Sequence, residues 1–273
     1  MKKNIMTNLP KTSASDVILD NGWLTISFNQ PEKRNALTEE LSNDIKTTFD
    51  AIKDDLSVRG VTMRGEGGIF CAGGDLKMFK TSFQGGEQGM KDVQKASEAT
   101  GHFFDMINSL PKPVIMLAEG AAMAGGLGML CAGDVVIVTE DCKFALTETT
   151  LGIPPAQIAP FVSQRIGLSK ARRIMLTAAR FTGKEAFEMG LADFLAKNPD
   201  DLRVIENEIK KGVMKCAPGA NAITKEIVLA TRHLSREEMI QFAAKGFAER
   251  MLSDEGMEGI ASFIEKRKPK WSK

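Results

Sequence analysis

The chain has no tyrosine and only two histidines, His102 and His233, among its 273 residues. Without Tyr there is no phenolic acid or base, and two His cannot build a three-histidine metal centre. Catalysis therefore has to rest on carboxylates, Lys, Ser/Thr, Cys or the backbone. The four cysteines (71, 131, 142 and 216) form no C-x-x-C pair, so the expectation is buried free thiols in a reducing compartment and no metal. Excess charge is also missing, with 36 Lys+Arg against 35 Asp+Glu and a net charge of +1. Such a chain lacks the field that draws nucleic acid or anionic membrane. Lys2 and Lys3 are followed by no sustained apolar stretch, and the uncharged run Gly120 to Gly133 is broken by glycines and too short to span a bilayer. The expectation is a cytoplasmic protein without nucleic-acid or membrane partners.

The residues that are present alternate between two periodicities. Asp16–Leu19 and Trp23–Phe28 flank Asn21-Gly22, which reads as a hairpin. Leu37, Leu41, Ile45, Phe49 and Ile52 then recur at helical spacing behind a capping Thr38. Val58–Arg64 reads as a strand feeding the glycine-rich loop 65–76, and residues 77–89 as a polar connection with a lid-like role. Met90–Leu110 follows as a helix, Pro113–Ala118 as a strand, Ala121–Ala132 as a small-residue helix, and Asp134–Thr139 and Lys143–Glu148 as strands. After the helix Ser169–Ala179, Thr182 to Glu185 fits a capping box. This alternation argues for an α/β class. Strand signals stop near residue 200, which divides a core (1–200) from a tail (201–273) of three helices, broken near Ala217-Pro218-Gly219 and Ser253-Asp254.

Two glycine-rich junctions, 70–76 and 120–128, are where chemistry is expected. Small residues let backbone N–H groups approach a ligand, and one N–H from each junction would polarise a carbonyl oxygen. The competing reading is two tight turns in a packed core. Gly126-x-Gly128-x-x-Cys131 imitates a dinucleotide fingerprint. It sits seven residues beyond the strand end, however, and carries Cys at its third position. Among the acids, Glu148 continues the strand face of Phe144 and Leu146, where partial burial would raise its pKa toward proton transfer. The alternative is a strand-end Glu that simply reaches solvent. His102 and His233 lie in polar helical contexts and read as surface residues. The basic run 266–270 reads as a solvated tail, with a phosphate contact as the sharper alternative.

Taken in order, Asn29 to Leu37 (NQPEKRNAL), Phe70 to Lys77 (FCAGGDLK), Lys112 to Gly126, and Phe144 to Gly152 resemble the crotonase superfamily, the enoyl-CoA hydratases and isomerases, over nearly the whole chain. The resemblance implies a spiral of repeated ββα units with a C-terminal helical trimerisation region, assembled as a homotrimer or a dimer of trimers. It implies that the N–H groups of Ala72 and Gly125 hold the thioester oxygen as an enolate forms, with Glu148 as acid and base. It places Lys33, Arg34, Ala36, Gly73, Gly74, Asp75, Leu76, Lys77 and Gly126 along the substrate, with Phe263 and Lys266 at its adenine and phosphates. No cofactor is implied, because coenzyme A belongs to the substrate.

The chain departs from that pattern at Gly128, where the common hydratases carry a first catalytic glutamate. It departs again over Ile153 to Phe161, a stretch similar to the methylglutaconyl-CoA and isohexenylglutaconyl-CoA hydratases of leucine and terpene breakdown. The implied activity is hydration of an α,β-unsaturated acyl-CoA, with a glutaconyl-type substrate supplying a carboxylate of its own. A Δ3,Δ2-enoyl-CoA isomerase is the alternative, since one carboxylate can shuttle a proton between C2 and C4. A non-catalytic acyl-CoA- or RNA-binding protein of the same fold is a further one.

Overall fold

A computed structural model of the chain describes residues 9–74 and 86–272. Strands β1 (Ser15–Asp20) and β2 (Trp23–Phe28) form the expected antiparallel hairpin, with Asn21 and Gly22 both at positive φ. Thr38 caps α1 (Glu39–Ile52) by accepting from the Leu41 N–H. Next come β3 (Gly60–Gly65), α2 (Glu87–Ser109), β4 (Val114–Ala118), β5 (Ala121–Met123), α3 (Gly125–Cys131), β6 (Val135–Thr139) and β7 (Lys143–Ala145). They are followed by α4 (Ala159–Thr177), β8 (Arg180–Thr182), α5 (Gly183–Glu188) behind the expected capping box, β9 (Phe194–Ala196) and α6 (Pro199–Met214). The chain ends in α7 (Pro218–Ala230), α8 (Arg236–Met251) and α9 (Asp254–Ile264).

The strands of the described residues form two sheets. One has six strands in the order β1-β2-β3-β4-β6-β9, parallel from β2 onward; the other has three, in the order β5-β7-β8. Chain order explains the pair. The strand β4 goes to the large sheet, β5 to the small one, then α3 follows; β6 and β7 repeat the step. Earlier turns make the same excursion with single bridges, Leu37 to Gly74 and Cys71 to Ala122. The repeated ββα spiral is thus present, and the glycine-rich loop belongs to the inner, smaller sheet.

Between the layers lies a core that includes Phe28, Phe49, Phe70, Phe104 and Phe144, all essentially inaccessible. Phe28 packs edge-on to Phe70 at 5.4 Å. The outer face of the large sheet is covered by α6, whose Leu202, Ile205 and Ile209 pack with Trp23, Ile115, Leu117 and Ile137. The first helix of the tail therefore belongs to the sheet, and α7 to α9 extend beyond it.

Several expectations are corrected. Ala121–Ala132 is a strand followed by a helix, because Cys71 pairs with residues 121–123 and holds them extended: the Cys71 N–H donates to Ala121 O at 3.1 Å and the Met123 N–H to Cys71 O at 2.9 Å. The strand from Lys143 stops at Ala145, so Glu148 instead opens a 3-10 turn, Glu148–Leu151. The tail has four helices, since the chain breaks again between Ala230 and the Ser235 cap. Three cysteines are buried, but Cys216 is exposed. Both histidines are exposed, as expected. Among the described residues no helix is long and apolar enough to cross a membrane, and no group of His, Cys, Asp and Glu is arranged to hold a metal.

Candidate active site

The first glycine-rich junction is fastened by a side chain. Asn35 is fully buried with φ 49°; its Oδ1 accepts the Gln30 N–H at 2.9 Å, while its Nδ2 donates to Glu66 O at 2.9 Å and Ile69 O at 2.8 Å. Asn tolerates this left-handed backbone better than most residues. The segment Lys33–Leu37 is thereby held against the loop. Arg34, also left-handed, accepts the Ala72 N–H at 3.0 Å, and the Leu37 N–H donates to Gly73 O at 2.8 Å.

That bonding overturns one expectation. The Ala72 N–H is spent on Arg34 and cannot also serve a ligand. The amide that faces the second junction is that of Gly74, two residues on. A Cβ placed on Gly125 would lie 3.5 Å from Gly74 N, and one on Gly73 would lie 3.6 Å from Gly125 N. Neither amide, at Gly74 or Gly125, has a backbone acceptor among the described residues. Gly125 is the first residue of α3, where N–H groups have no intrahelical partner. The preceding Ala124 holds φ 48° and ψ −120°, a costly conformation for a residue with a Cβ, and its N–H is anchored to Ala145 O at 2.9 Å.

Close packing explains the glycines themselves. A side chain on Gly126 would strike Cys71 O at 2.6 Å, and one on Gly73 would meet Met123 O and Ala124 Cβ, each at 2.9 Å. The two junctions are pressed together through bare backbone, which is how two amides some fifty residues apart in sequence come to lie close to one another.

The carboxylate follows from the same pairing. The strands β5 and β7 are parallel, with Met123 opposite Ala145. Beyond their carboxyl ends the chain turns into α3 on one side and into the Glu148 turn on the other. Glu148 is partly buried, and its Oε2 is enclosed without a hydrogen-bond partner among the described residues. Loss of hydration therefore raises its pKa above the ordinary 4.5, opposed by a backbone hydrogen bond. An unpartnered carboxyl held ready to take a proton suits acid–base chemistry.

Lys33 and Arg34 are exposed and Ala36 partly buried beside this loop. Asp75, Leu76 and Lys77 lie outside the described residues, as does most of the connection 77–89, whose last residues begin α2. The structure does not bring Phe263 or Lys266 to the site of the same chain. Phe263 is 86% exposed on α9, and the segment after it is tied to Arg59, which donates to Trp271 O at 2.9 Å at the start of β3, the opposite end from Gly65. A cleft of about 400 Å³ lies at the far end of α3, between Asn108, Asp134, Arg165 and Lys225. Its charged groups are already paired with one another or with Asp193.

The fold and the convergent glycine junctions define a protein of the crotonase type. The sequence model of the enoyl-CoA hydratase/isomerase family matches residues 19–273, and the chain belongs to that family. It is 39% identical to Pseudomonas aeruginosa AtuE, with a TM-score of 0.90 over 96% of this chain and 100% of the other. It is 37% identical to an enoyl-CoA hydratase/isomerase from Marinobacter aquaeolei, with a TM-score of 0.91 over 95% and 99%. A probable enoyl-CoA hydratase of Bacillus subtilis is 33% identical, over 95% of this chain and 98% of the relative.

Proposed function

We propose that the chain binds an acyl-CoA thioester with its carbonyl oxygen between the Gly74 and Gly125 amides. Glu148 then moves the proton as the enolate forms and collapses. The observation that supports this reading is the close approach of two backbone amides that have no backbone acceptor among the described residues, on the paired strands that also lead to the enclosed Glu148 carboxyl. Preorganised donors of this kind typically contribute about 2.7–4 kcal/mol each to transition-state stabilisation. The favoured reaction is hydration of an α,β-unsaturated acyl-CoA. With glycine at 128 and Glu148 the one carboxylate assigned to the site among the described residues, a glutaconyl-type substrate that brings its own carboxylate suits the chemistry. Isomerisation of a 3-enoyl-CoA to the 2-enoyl form is the second reading. It is favoured by the apolar Ile158 side chain that fills the space beside Gly128, since one carboxylate and no water suffice for it.

Phe263 and Lys266 would, on this reading, serve a coenzyme A held by a neighbouring copy in a homotrimer or a dimer of trimers. The tail beyond residue 200 would supply the contacts between copies. No cofactor takes part in the proposed steps.

The test is incubation with crotonyl-CoA, 3-methylglutaconyl-CoA and a 3-enoyl-CoA, following the absorbance of the conjugated thioester. Loss of absorbance means hydration and gain means isomerisation. Glu148→Gln is expected to lower the rate by about 10²–10⁴-fold with acyl-CoA affinity little changed. The raised pKa places the acid limb of a deprotonation step above pH 4.5. Full activity in the Gln variant, or no change with any of the three thioesters, would remove this reading.

A further inference from the structure

The helix α3 presents a bare face beside the Gly125 amide. Gly125 and Gly128 are three residues apart and share one side of the helix. A Cβ on Gly125 would touch Leu37 Cδ1 at 3.2 Å, whereas one on Gly128 would fall 2.9 Å from Ile158 Cγ1 and 3.1 Å from Cγ2. Ile158 therefore occupies the room that a side chain at 128 would take.

Its place is fixed from several directions. Ile158 is 7% exposed, and its carbonyl accepts the Val162 N–H at 3.2 Å. The neighbouring Gln157 donates to Ser97 Oγ on α2 at 3.1 Å, where Gly101 clears space for it: a Cβ there would stand 2.5 Å from Gln157 Oε1. At 1.5 Å per residue, Gly128 lies about 4.5 Å along the helix from Gly125. That is a reach of about three to four carbon–carbon bonds from a carbonyl held at the Gly125 amide. The Ile158 side chain consequently stands within a few bonds of the thioester carbonyl, far from the nucleotide end.

We propose that Ile158, seated against Gly128, is the residue that determines which acyl groups the site accepts. The inference rests on the placement of the thioester carbonyl proposed above. The two positions are matched in volume. Adding a methyl at 128 drives the branched side chain inward, while trimming 158 opens space beside C3. The wall they form is apolar, so proton movement is left to Glu148.

The experiment measures kcat/KM for exchange of the C2 proton in deuterated water, with linear butyryl-CoA and branched 3-methylbutyryl-CoA, in wild type, Ile158→Ala, Gly128→Ala and the combination Gly128→Ala with Ile158→Val. The readout is the branched-to-linear ratio, in which any loss of folded protein cancels. A methylene in an apolar pocket is worth about 10–200-fold in discrimination. Ile158→Ala is therefore expected to raise the ratio at least about tenfold, Gly128→Ala to lower it comparably, and the combination to return toward wild type. Ratios within about threefold of wild type in every variant, or shifts of the same sign in the two Ala variants, would overturn the proposal. Absence of Glu148-dependent exchange with both thioesters in wild type would overturn the underlying placement as well. Exchange that depends on Glu148 with unmoved ratios would overturn only the role of Ile158.

Discussion

Lys112 is 3% exposed, and its ammonium donates to Asp55 O at 2.8 Å. Burial lowers its pKa to about 8 from 10.5, against the pull of Asp55 and Asp54. Between those two values the unfolded chain binds more protons than the folded one, so stability rises with pH across that window. Below about pH 8 the folded protein carries the full cost of a buried ammonium. Relative to Lys112→Met, the wild type is expected to gain on the order of 2–3 kcal/mol in urea unfolding between about pH 8 and 10.5. Equal pH slopes in the two proteins would contradict this. No short motif around Lys112 announces its burial, which arises because the strand it precedes is enclosed on both faces.

At the level of elements, α7 is joined to the large sheet by one ion pair. Lys225 donates to Asp134 Oδ2 at 2.7 Å, and the same oxygen accepts the Val114 N–H at 2.7 Å, so the pair connects the tail to the starts of β4 and β6. Fully enclosed pairs typically lose about 3–5 kcal/mol when one partner is removed. The Asp134 side chain keeps 32% of its surface, so the discounted expectation for Lys225→Met is about 1–2 kcal/mol. Asp134→Asn in the same chain should recover most of it, which a double-mutant cycle in urea measures; simple additivity would remove the coupling.

Elements with strong periodicity were readable from sequence: the Asn21-Gly22 hairpin, the Thr38 cap and the Thr182/Glu185 box all stand where their residue types place them. The short strands β5, β8 and β9 were not, because they lack an alternating run; the equally short β7 was read only through the longer alternation Phe144, Leu146 and Glu148. Tertiary pairing with Cys71 holds residues 121–123 extended, where local composition favours helix. Gly125 and Glu148 were legible as candidates from their residue types, while the replacement of Ala72 by Gly74 as the candidate amide was not. It depends on which N–H the Arg34 carbonyl consumes, a contact between segments 38 residues apart.

At the scale of the molecule, exposed large apolar side chains are densest, among the described residues, over the last two helices and the turn between them. Phe247 is 68% exposed, Leu252 79%, Phe263 86% and Ile264 72%. A single soluble chain rarely leaves so many large side chains uncovered along neighbouring elements. The chain is expected to sediment as a trimer or hexamer, with Phe247→Asp combined with Phe263→Asp lowering the assembly state. A monomer at micromolar concentration in the wild type would refute that expectation. No local pattern in the sequence distinguishes these side chains from core residues; only the packing of α7 to α9 shows which face is left over.

The bond from Arg59 to Trp271 joins residues 212 positions apart, and the two site amides meet across about fifty. Contacts at such separation are slow to form, because loop closure must be met before they reward the chain. The candidate site is therefore expected to complete late in folding, and the tail around Trp271 helps secure the strand that leads into its first half. During refolding, helical signal should return well before ligand binding does.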